Sequence, residues 1–257
     1  MSYALVTGAS KGIGKAIAEE LARRGFDILL VARSGDLLEA NAGEIRMKFK
    51  VRCNCLVADL ADPNCVQVII DWCSENNYPV SVLVNNAGFG ISGPFENGRW
   101  QDQQDMIRVN MLSPVLLCKA FIPLLRQQEK AYILNVGSTT AYHAVPLMSL
   151  YAASKVFMLR FSRGLHEELR KTSISVTCVC PGTTDTDFPY RAQVNAKAIA
   201  TGKNFSMTPH AVARVAVRGM LRHKKELVPG WINKLTVFLV WLLPFNLSER
   251  TALRIYS

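Results

Sequence analysis

Short apolar runs alternate with longer amphipathic stretches along almost the whole chain. Residues 3–6, 27–31 and 80–84 are rich in Val, Ile and Leu with almost no polar interruption, the pattern of parallel strands covered on both faces. Further strands are predicted at 51–58, 132–136, 174–180 and around Leu227. Helical periodicity predicts helices over 12–24, 36–48, 63–75, 100–126, 150–171 and 209–222. Strict strand-helix alternation with right-handed crossovers predicts a single α/β domain, a doubly wound, mostly parallel seven-stranded sheet flanked by helices. No internal repeat or low-complexity tract breaks it. At 257 residues and 49% hydrophobic, the chain can bury a full core in one domain.

The first strand runs into Thr7-Gly8-Ala9-Ser10-Lys11-Gly12-Ile13-Gly14, which opens the first helix. Glycines let the backbone turn sharply and approach a ligand where a Cβ would collide. The helix start offers unpaired N–H groups and a positive dipole end, so its natural guest is a phosphate. Position between a strand and an amphipathic helix makes this a candidate dinucleotide site, Rossmann-like in character.

The end of the second strand bears on which dinucleotide. An acid there would accept hydrogen bonds from the adenosine ribose and repel a 2′-phosphate; here the strand ends Val31-Ala32-Arg33. Arg33 and Lys11 together favour NADP(H) over NAD(H); the alternative, with Asp36 close by, is that both cations are solvated surface charges. Asp59, before Leu60, either accepts from the adenine amino group or starts the next helix, with Asp62 and Pro63 as its cap and first turn. The fourth strand ends Asn85-Asn86-Ala87-Gly88, where small and amide residues suit a ligand crevice or tie neighbouring strands together.

Tyr151 and Lys155 are spaced i,i+4, so on a helix the phenol and the ammonium share one face. A phenol titrates near ~10 and is a poor proton carrier at neutral pH, but a neighbouring cation and an oxidised nicotinamide ring would favour its phenolate. Tyr-x-x-x-Lys alone is a common accident. Ser138, at the end of the preceding strand, changes the odds because its hydroxyl can approach the phenol and hold a substrate carbonyl oxygen.

In order and spacing, Thr7 to Gly14, Asp59, Asn85 to Gly88, Asn110, Ser138, Tyr151 to Lys155 and Cys180-Pro181-Gly182 resemble the short-chain dehydrogenases/reductases, over the chain to about Pro229. The resemblance implies that Ser138 polarises a carbonyl, Tyr151 is the general acid/base, and Lys155 lowers the Tyr pKa and binds the nicotinamide ribose. It implies that Asn110 holds a proton-relay water and that Pro181, Gly182 and Thr186 contact the nicotinamide end. Gly8, Ser10, Lys11, Gly12, Ile13, Gly14, Arg33, Asp59, Leu60, Asn86, Ala87 and Gly88 would complete the cofactor site. Lys11 and Arg33 are similar to the basic residues of members that prefer NADP(H). From the residues alone, Asn110 is only a polar residue interrupting the 100–126 helix.

Loops at the carboxyl ends of the strands are mainly apolar or aromatic: Phe89 to Phe95, Tyr142 to Met148, and the insertion 183–207 with Phe188, Pro189 and Tyr190. They predict a hydrophobic ketone, aldehyde or secondary alcohol as substrate, with the insertion closing over it. His143 either shapes this pocket or serves as an extra acid/base. The expected organisation is a catalytic domain over 1–230, with a substrate lobe at 183–207, and an apolar, basic extension over 231–257.

Charge refines the extension. The net charge is +10, and from Thr201 onward nine Lys/Arg face two Glu, a net +7. This favours anionic partners such as acidic lipid, a phosphorylated substrate carrier or an acidic protein; with no nucleic-acid motif present, nucleic acid is not expected. The 231–245 stretch is nearly all apolar yet too short to span a bilayer, which takes about 20 residues. It reads as an interfacial membrane helix, a subunit contact in a homodimer or homotetramer, or a flap over the substrate mouth. Seven cysteines without a Cys-x-x-Cys or Cys/His cluster predict reduced core thiols and no metal. The absence of a signal peptide before the first strand predicts a cytoplasmic protein, with peripheral membrane association left open. A non-catalytic NADP(H)-binding regulator is the main alternative, but such a protein would usually lose part of the Ser/Tyr/Lys set. An epimerase or dehydratase would need a larger C-terminal domain.

Overall fold

The computed structural model describes residues 2–203 and 205–256; residue 204 of the predicted lobe and residue 257 of the extension lie outside the described residues. Seven strands form one sheet in the order β3-β2-β1-β4-β5-β6-β7: β1 (Tyr3–Thr7), β2 (Asp27–Ala32), β3 (Cys53–Val57), β4 (Val80–Asn85), β5 (Ala131–Val136), β6 (Ile174–Val179) and β7 (Glu226–Leu227). Every pairing is parallel.

Strand alternation sends successive side chains to opposite faces and so builds two cores. Ala4, Val6, Ile28, Leu30, Val82 and Val84 pack with α1 (Gly12–Ala22), α2 (Gly35–Phe49) and α9 (Pro209–Leu221), through Ile17, Leu38 and Val217 among others. Tyr3, Leu5, Leu29, Val31 and Leu83 pack on the other face with Ile69 of α3 (Cys65–Glu75), Phe121 of α5 (Ser113–Leu125) and Leu165 of α6 (Ser149–Leu169). Burial on both faces is why these strands lack a polar phase. The direction of strand addition reverses between β1 and β4, so the crevice for a ligand opens at their carboxyl ends.

Several boundaries differ from expectation. The predicted 100–126 helix is α4 (Trp100–Ile107), a π-helical turn (Arg108–Leu112) and α5. By length and composition this run could cross a membrane, but Leu117, Cys118, Phe121 and Leu125 pack on the sheet. Helix α3 begins at Cys65 rather than at Pro63, because Asp62 accepts the Asn64 N–H (2.8 Å) in a turn of its own. The insertion carries α7 (Phe188–Arg191) and α8 (Ala196–Lys203), and the tail is two helices, α10 (Trp231–Leu242) and α11 (Phe245–Tyr256). All seven cysteines are free thiols, and the described residues hold no cluster suited to a metal.

Candidate active site

The glycine loop is fixed by side chains reaching across the switch point. The Thr7 hydroxyl donates to the Val84 carbonyl (3.1 Å) and accepts the N–H groups of Asn86 (3.1 Å) and Ala87 (3.2 Å). Asn86 Nδ2 donates to the Thr7 and Gly8 carbonyls (2.9 and 3.1 Å), and Asn41 Nδ2 to that of Ser10 (2.9 Å). The loop's carbonyls are thus held from behind. No side chain caps α1, so the N–H groups of Gly12, Ile13 and Gly14 face the cleft without a side-chain acceptor. Gly8 is left-handed (φ +65°). A Cβ on it would lie 2.8 Å from Ala87 Cα, and one on Gly14 would strike the Gly8 carbonyl oxygen. This cradle, made of free helical donors and missing side chains, fits the phosphates of a dinucleotide.

Both basic residues singled out for the ribose phosphate are exposed, and each lies beside a carboxylate. Lys11 Nζ is 3.0 Å from Asp187, and Arg33 Nη1 is 3.6 Å from Asp59. Exposed pairs of this kind are weak and exchange readily for a stronger anion. Asp59 also accepts the Ala61 N–H (3.0 Å), starting the next turn, while Leu60 is buried beside it. Of the paired amides, Asn85 is structural: it donates to Asn135 (2.9 Å), which donates to Ser162 of α6 (2.8 Å). Asn86 is the residue that holds the loop.

Ser138 follows β5, and Tyr151 and Lys155 lie on the first turns of α6. The structure brings them together. The Ser138 hydroxyl lies beside the Tyr151 phenol, close enough to favour its ionised form. Lys155 Nζ lies 5.7 Å from the centre of the phenol ring and donates to the Val136 carbonyl (3.0 Å). A Cβ on Gly88 would sit 3.1 Å from Asn110 Oδ1 and 3.3 Å from Lys155 Nζ, so the floor of the crevice beside the ammonium is open only because residue 88 has no side chain.

The π-helical turn explains Asn110, which is 1% exposed. One widened turn points its amide inward, where Oδ1 accepts the Phe89 N–H (3.1 Å) and Nδ2 donates to the Phe89 carbonyl (2.9 Å) and Ser154 Oγ (3.1 Å). It braces the loop after β4 against the helix carrying Tyr151.

Burial dominates the titration of the pair. It pushes the Tyr151 phenol upward; the neighbouring Ser138 hydroxyl opposes this and nearby Tyr256 adds to it. Burial lowers Lys155 to about 8. Desolvation dominates at the phenol, so Tyr151 is a proton donor at neutral pH. The ammonium is charged below about 8 and lost above it, while the phenol stays protonated. We therefore expect kcat/KM for carbonyl reduction to be level at low pH and to fall as pH rises through about 8, as measured in a pH profile. A profile that rises through that value would contradict this role for Lys155.

Thr186, Asp187 and Phe188 strap across the crevice. A Cβ on Gly12 would lie 3.2 Å from Thr186 Cγ2, Asp187 holds Lys11, and the Phe188 ring is 5.2 Å from that of Tyr151. Thr186 thus sits over the phosphate loop. Gly182 packs against Asn233, which donates to the Pro229 carbonyl (2.7 Å), and the Pro181 carbonyl accepts the Thr139 N–H (2.8 Å). Met106, Val145, Met148 and Phe188 surround Tyr151 with apolar surface. His143 is partly buried, its Nδ1 lacks a partner among the described residues, and burial lowers its pKa. Burial therefore favours its neutral imidazole over a charged acid.

Sequence reasoning missed Tyr256. It packs into the cluster around Tyr151, carried there by α11, whose carbonyls at Ile255 and Tyr256 accept from Asn195 Nδ2 and whose Arg254 carbonyl accepts from Lys197. Nothing local in the sequence marks a residue at the far end of the chain as a wall of this pocket.

A doubly wound sheet with a phosphate cradle at its switch point, and a buried serine, phenol and ammonium beside it, defines a nicotinamide-dependent oxidoreductase acting on CH–OH/C=O groups. The sequence model described as short chain dehydrogenase matches residues 2–197. A very-long-chain 3-oxoacyl-CoA reductase of Anas platyrhynchos is 34% identical over 220 residues, covering 84% of this chain and 68% of the relative. One of Danio rerio is 34% identical over 229 residues, covering 82% and 73%. A short-chain dehydrogenase from Sphingobium yanoikuyae, solved in complex with NADPH, superimposes with a TM-score of 0.80 at 33% identity, covering 89% of this chain and 87% of that one. The chain belongs to the short-chain dehydrogenase/reductase family.

Proposed function

We propose that this protein is an NADPH-dependent reductase of a carbonyl group carried on a long apolar substrate, a 3-oxoacyl thioester being the best-supported class. The observation that carries the reaction is the meeting of Ser138, Tyr151 and Lys155 beside the glycine cradle. When bound, the nicotinamide supplies the hydride. Ser138 donates a hydrogen bond to the carbonyl oxygen, and Tyr151 delivers the proton that turns it into a hydroxyl. Lys155, charged and buried, offsets negative charge left on the phenol, and Asn110 keeps α6 and the loop after β4 in register. Run backwards, the same groups oxidise a secondary alcohol.

Two features support the substrate class. The phenol is lined by Met106, Val145, Met148 and Phe188, with Tyr256 closing one side. Both vertebrate relatives are named for acting on very-long-chain 3-oxoacyl-CoA. In a panel of 3-oxoacyl thioesters, bulky ketones and small aldehydes, kcat/KM should rise with apolar chain length by about threefold or more per buried methylene. A preference for small aldehydes would overturn the substrate class but not the chemistry.

NADPH preference rests on Lys11 and Arg33 and on the lack of an acid at the end of β2. Loss of a charge-assisted hydrogen bond costs about 1.5–3 kcal/mol. Arg33→Asp should therefore raise KM for NADPH by about 10- to 100-fold and leave NADH little changed. Equal losses for both cofactors would place Arg33 away from the 2′-phosphate. A homodimer is supported by the exposed Leu112, Leu116, Val156 and Phe157 on the neighbouring helices α5 and α6 and the turn before α5.

The alternative is a cofactor-binding regulator. Tight NADPH binding with no turnover of any carbonyl would favour it.

A further inference from the structure

Helix α10 is turned inside out relative to an ordinary surface helix. Its polar Asn233 is buried at 9% exposure, while Trp231 (74%), Phe238 (55%), Trp241 (77%) and Leu242 (64%) face solvent, with Leu235 and Leu239 between them. The spacing of 231, 235, 238 and 242 follows one helical face, so these side chains form a continuous outward stripe. Soluble surfaces rarely leave such a stripe uncovered. At 12 residues the helix is about 18 Å long, well short of the bilayer's hydrocarbon thickness, so it cannot span.

The charge of the two C-terminal helices bears on what covers the stripe. Lys234 on α10 and Arg250 and Arg254 on α11 are exposed next to Leu247 and Leu253, and α10 and α11 hold one acid, Glu249, between them. If a second copy packed on the stripe about a two-fold axis, these cations would face their own counterparts. Anionic headgroups complement them, and tryptophans near both ends of an apolar face suit the boundary between headgroups and acyl chains. We propose that the outward face of α10, with the cations of α10 and α11, docks on the surface of an anionic lipid bilayer.

The placement joins this surface to the catalytic crevice. Helix α10 packs beside the turn Thr139–Tyr142 that follows Ser138, and α11 carries Tyr256 into the cluster around Tyr151. Docking therefore places the lipid surface, where a long apolar chain is already dissolved, one helix away from the turn that follows Ser138. Binding itself involves no turnover, so it stands or falls separately from the proposed reductase activity.

The test is co-sedimentation of the full chain with phosphatidylcholine vesicles and with phosphatidylcholine–phosphatidylglycerol vesicles at low and high salt. Wild type should bind the anionic vesicles and be released by salt. Phe238→Asp with Trp241→Asp should weaken binding about tenfold or more, and Lys234→Glu or Arg250→Glu about fivefold each, with unchanged reduction of a water-soluble ketone. All four positions are exposed, so folding should persist, which circular dichroism would verify. Wild type that sediments with neither vesicle, or equally with both, overturns the proposal. So does a lipid-free dimer that Phe238→Asp converts to monomer while vesicle binding is absent, since the stripe would then be a subunit contact.

Discussion

Tyr151→Phe should lower kcat for carbonyl reduction by about 10²- to 10⁴-fold, the contribution of a positioned general acid, while NADPH binds as before. The argument is local. Tyr151 is 8% exposed, its ring packs 5.2 Å from Phe188, and phenylalanine keeps that ring while removing only the hydroxyl that meets Ser138. The apolar wall should stay intact, so a large loss in kcat without a matching loss in cofactor affinity isolates the proton. Cofactor binding by nicotinamide fluorescence and turnover by nicotinamide absorbance separate the two. Retained activity would mean that the proton comes from elsewhere, and the Tyr256 phenol in the same cluster is the next group to test.

Gly14→Ala should act on the other half of the site. The new Cβ would strike the Gly8 carbonyl oxygen and Asn86 Nδ2, atoms already bonded to each other at 3.1 Å. Neither can retreat without breaking the tie between β1 and β4. A backbone shift of this kind costs about 1–3 kcal/mol, so NADPH affinity should fall by about 10- to 100-fold together with some loss of thermal stability. Titration of cofactor fluorescence and a thermal melt check both parts. Unchanged affinity would mean that the phosphates do not rest on this loop.

The sheet was legible because its strands are apolar on both faces, and alternating helices leave few other ways to cover them. The glycine loop was legible because Gly8 and Gly14 stand where a side chain would meet backbone. Ser138, Tyr151 and Lys155 could be grouped from strand ends and helical spacing, since each depends on one element and its neighbour.

What stayed hidden depends on contacts remote in sequence or on the backbone itself. The π-helical turn that aims Asn110 inward leaves no mark in hydropathy, so the residues alone made it a break in a helix. The link from Lys11 to Asp187 joins residues far apart in the chain, and neither shows the other locally. The tail is apolar nearly all round, so the sequence could not say which side faces solvent, nor that its final helix returns to the catalytic cluster. The 231–245 stretch forms α10, which presents its stripe outward, and it is Tyr256 of α11 that joins the catalytic cluster.

The central claim is that hydride passes to a carbonyl carbon while Tyr151 supplies the proton. It is tested most directly with NADPH carrying deuterium at the nicotinamide C4 and a long-chain 3-oxoacyl thioester. The account predicts deuterium on the new carbinol carbon with the wild type and almost none in the same time with Tyr151→Phe. Tight binding of the labelled cofactor with no transfer to any ketone, thioester or aldehyde would contradict it.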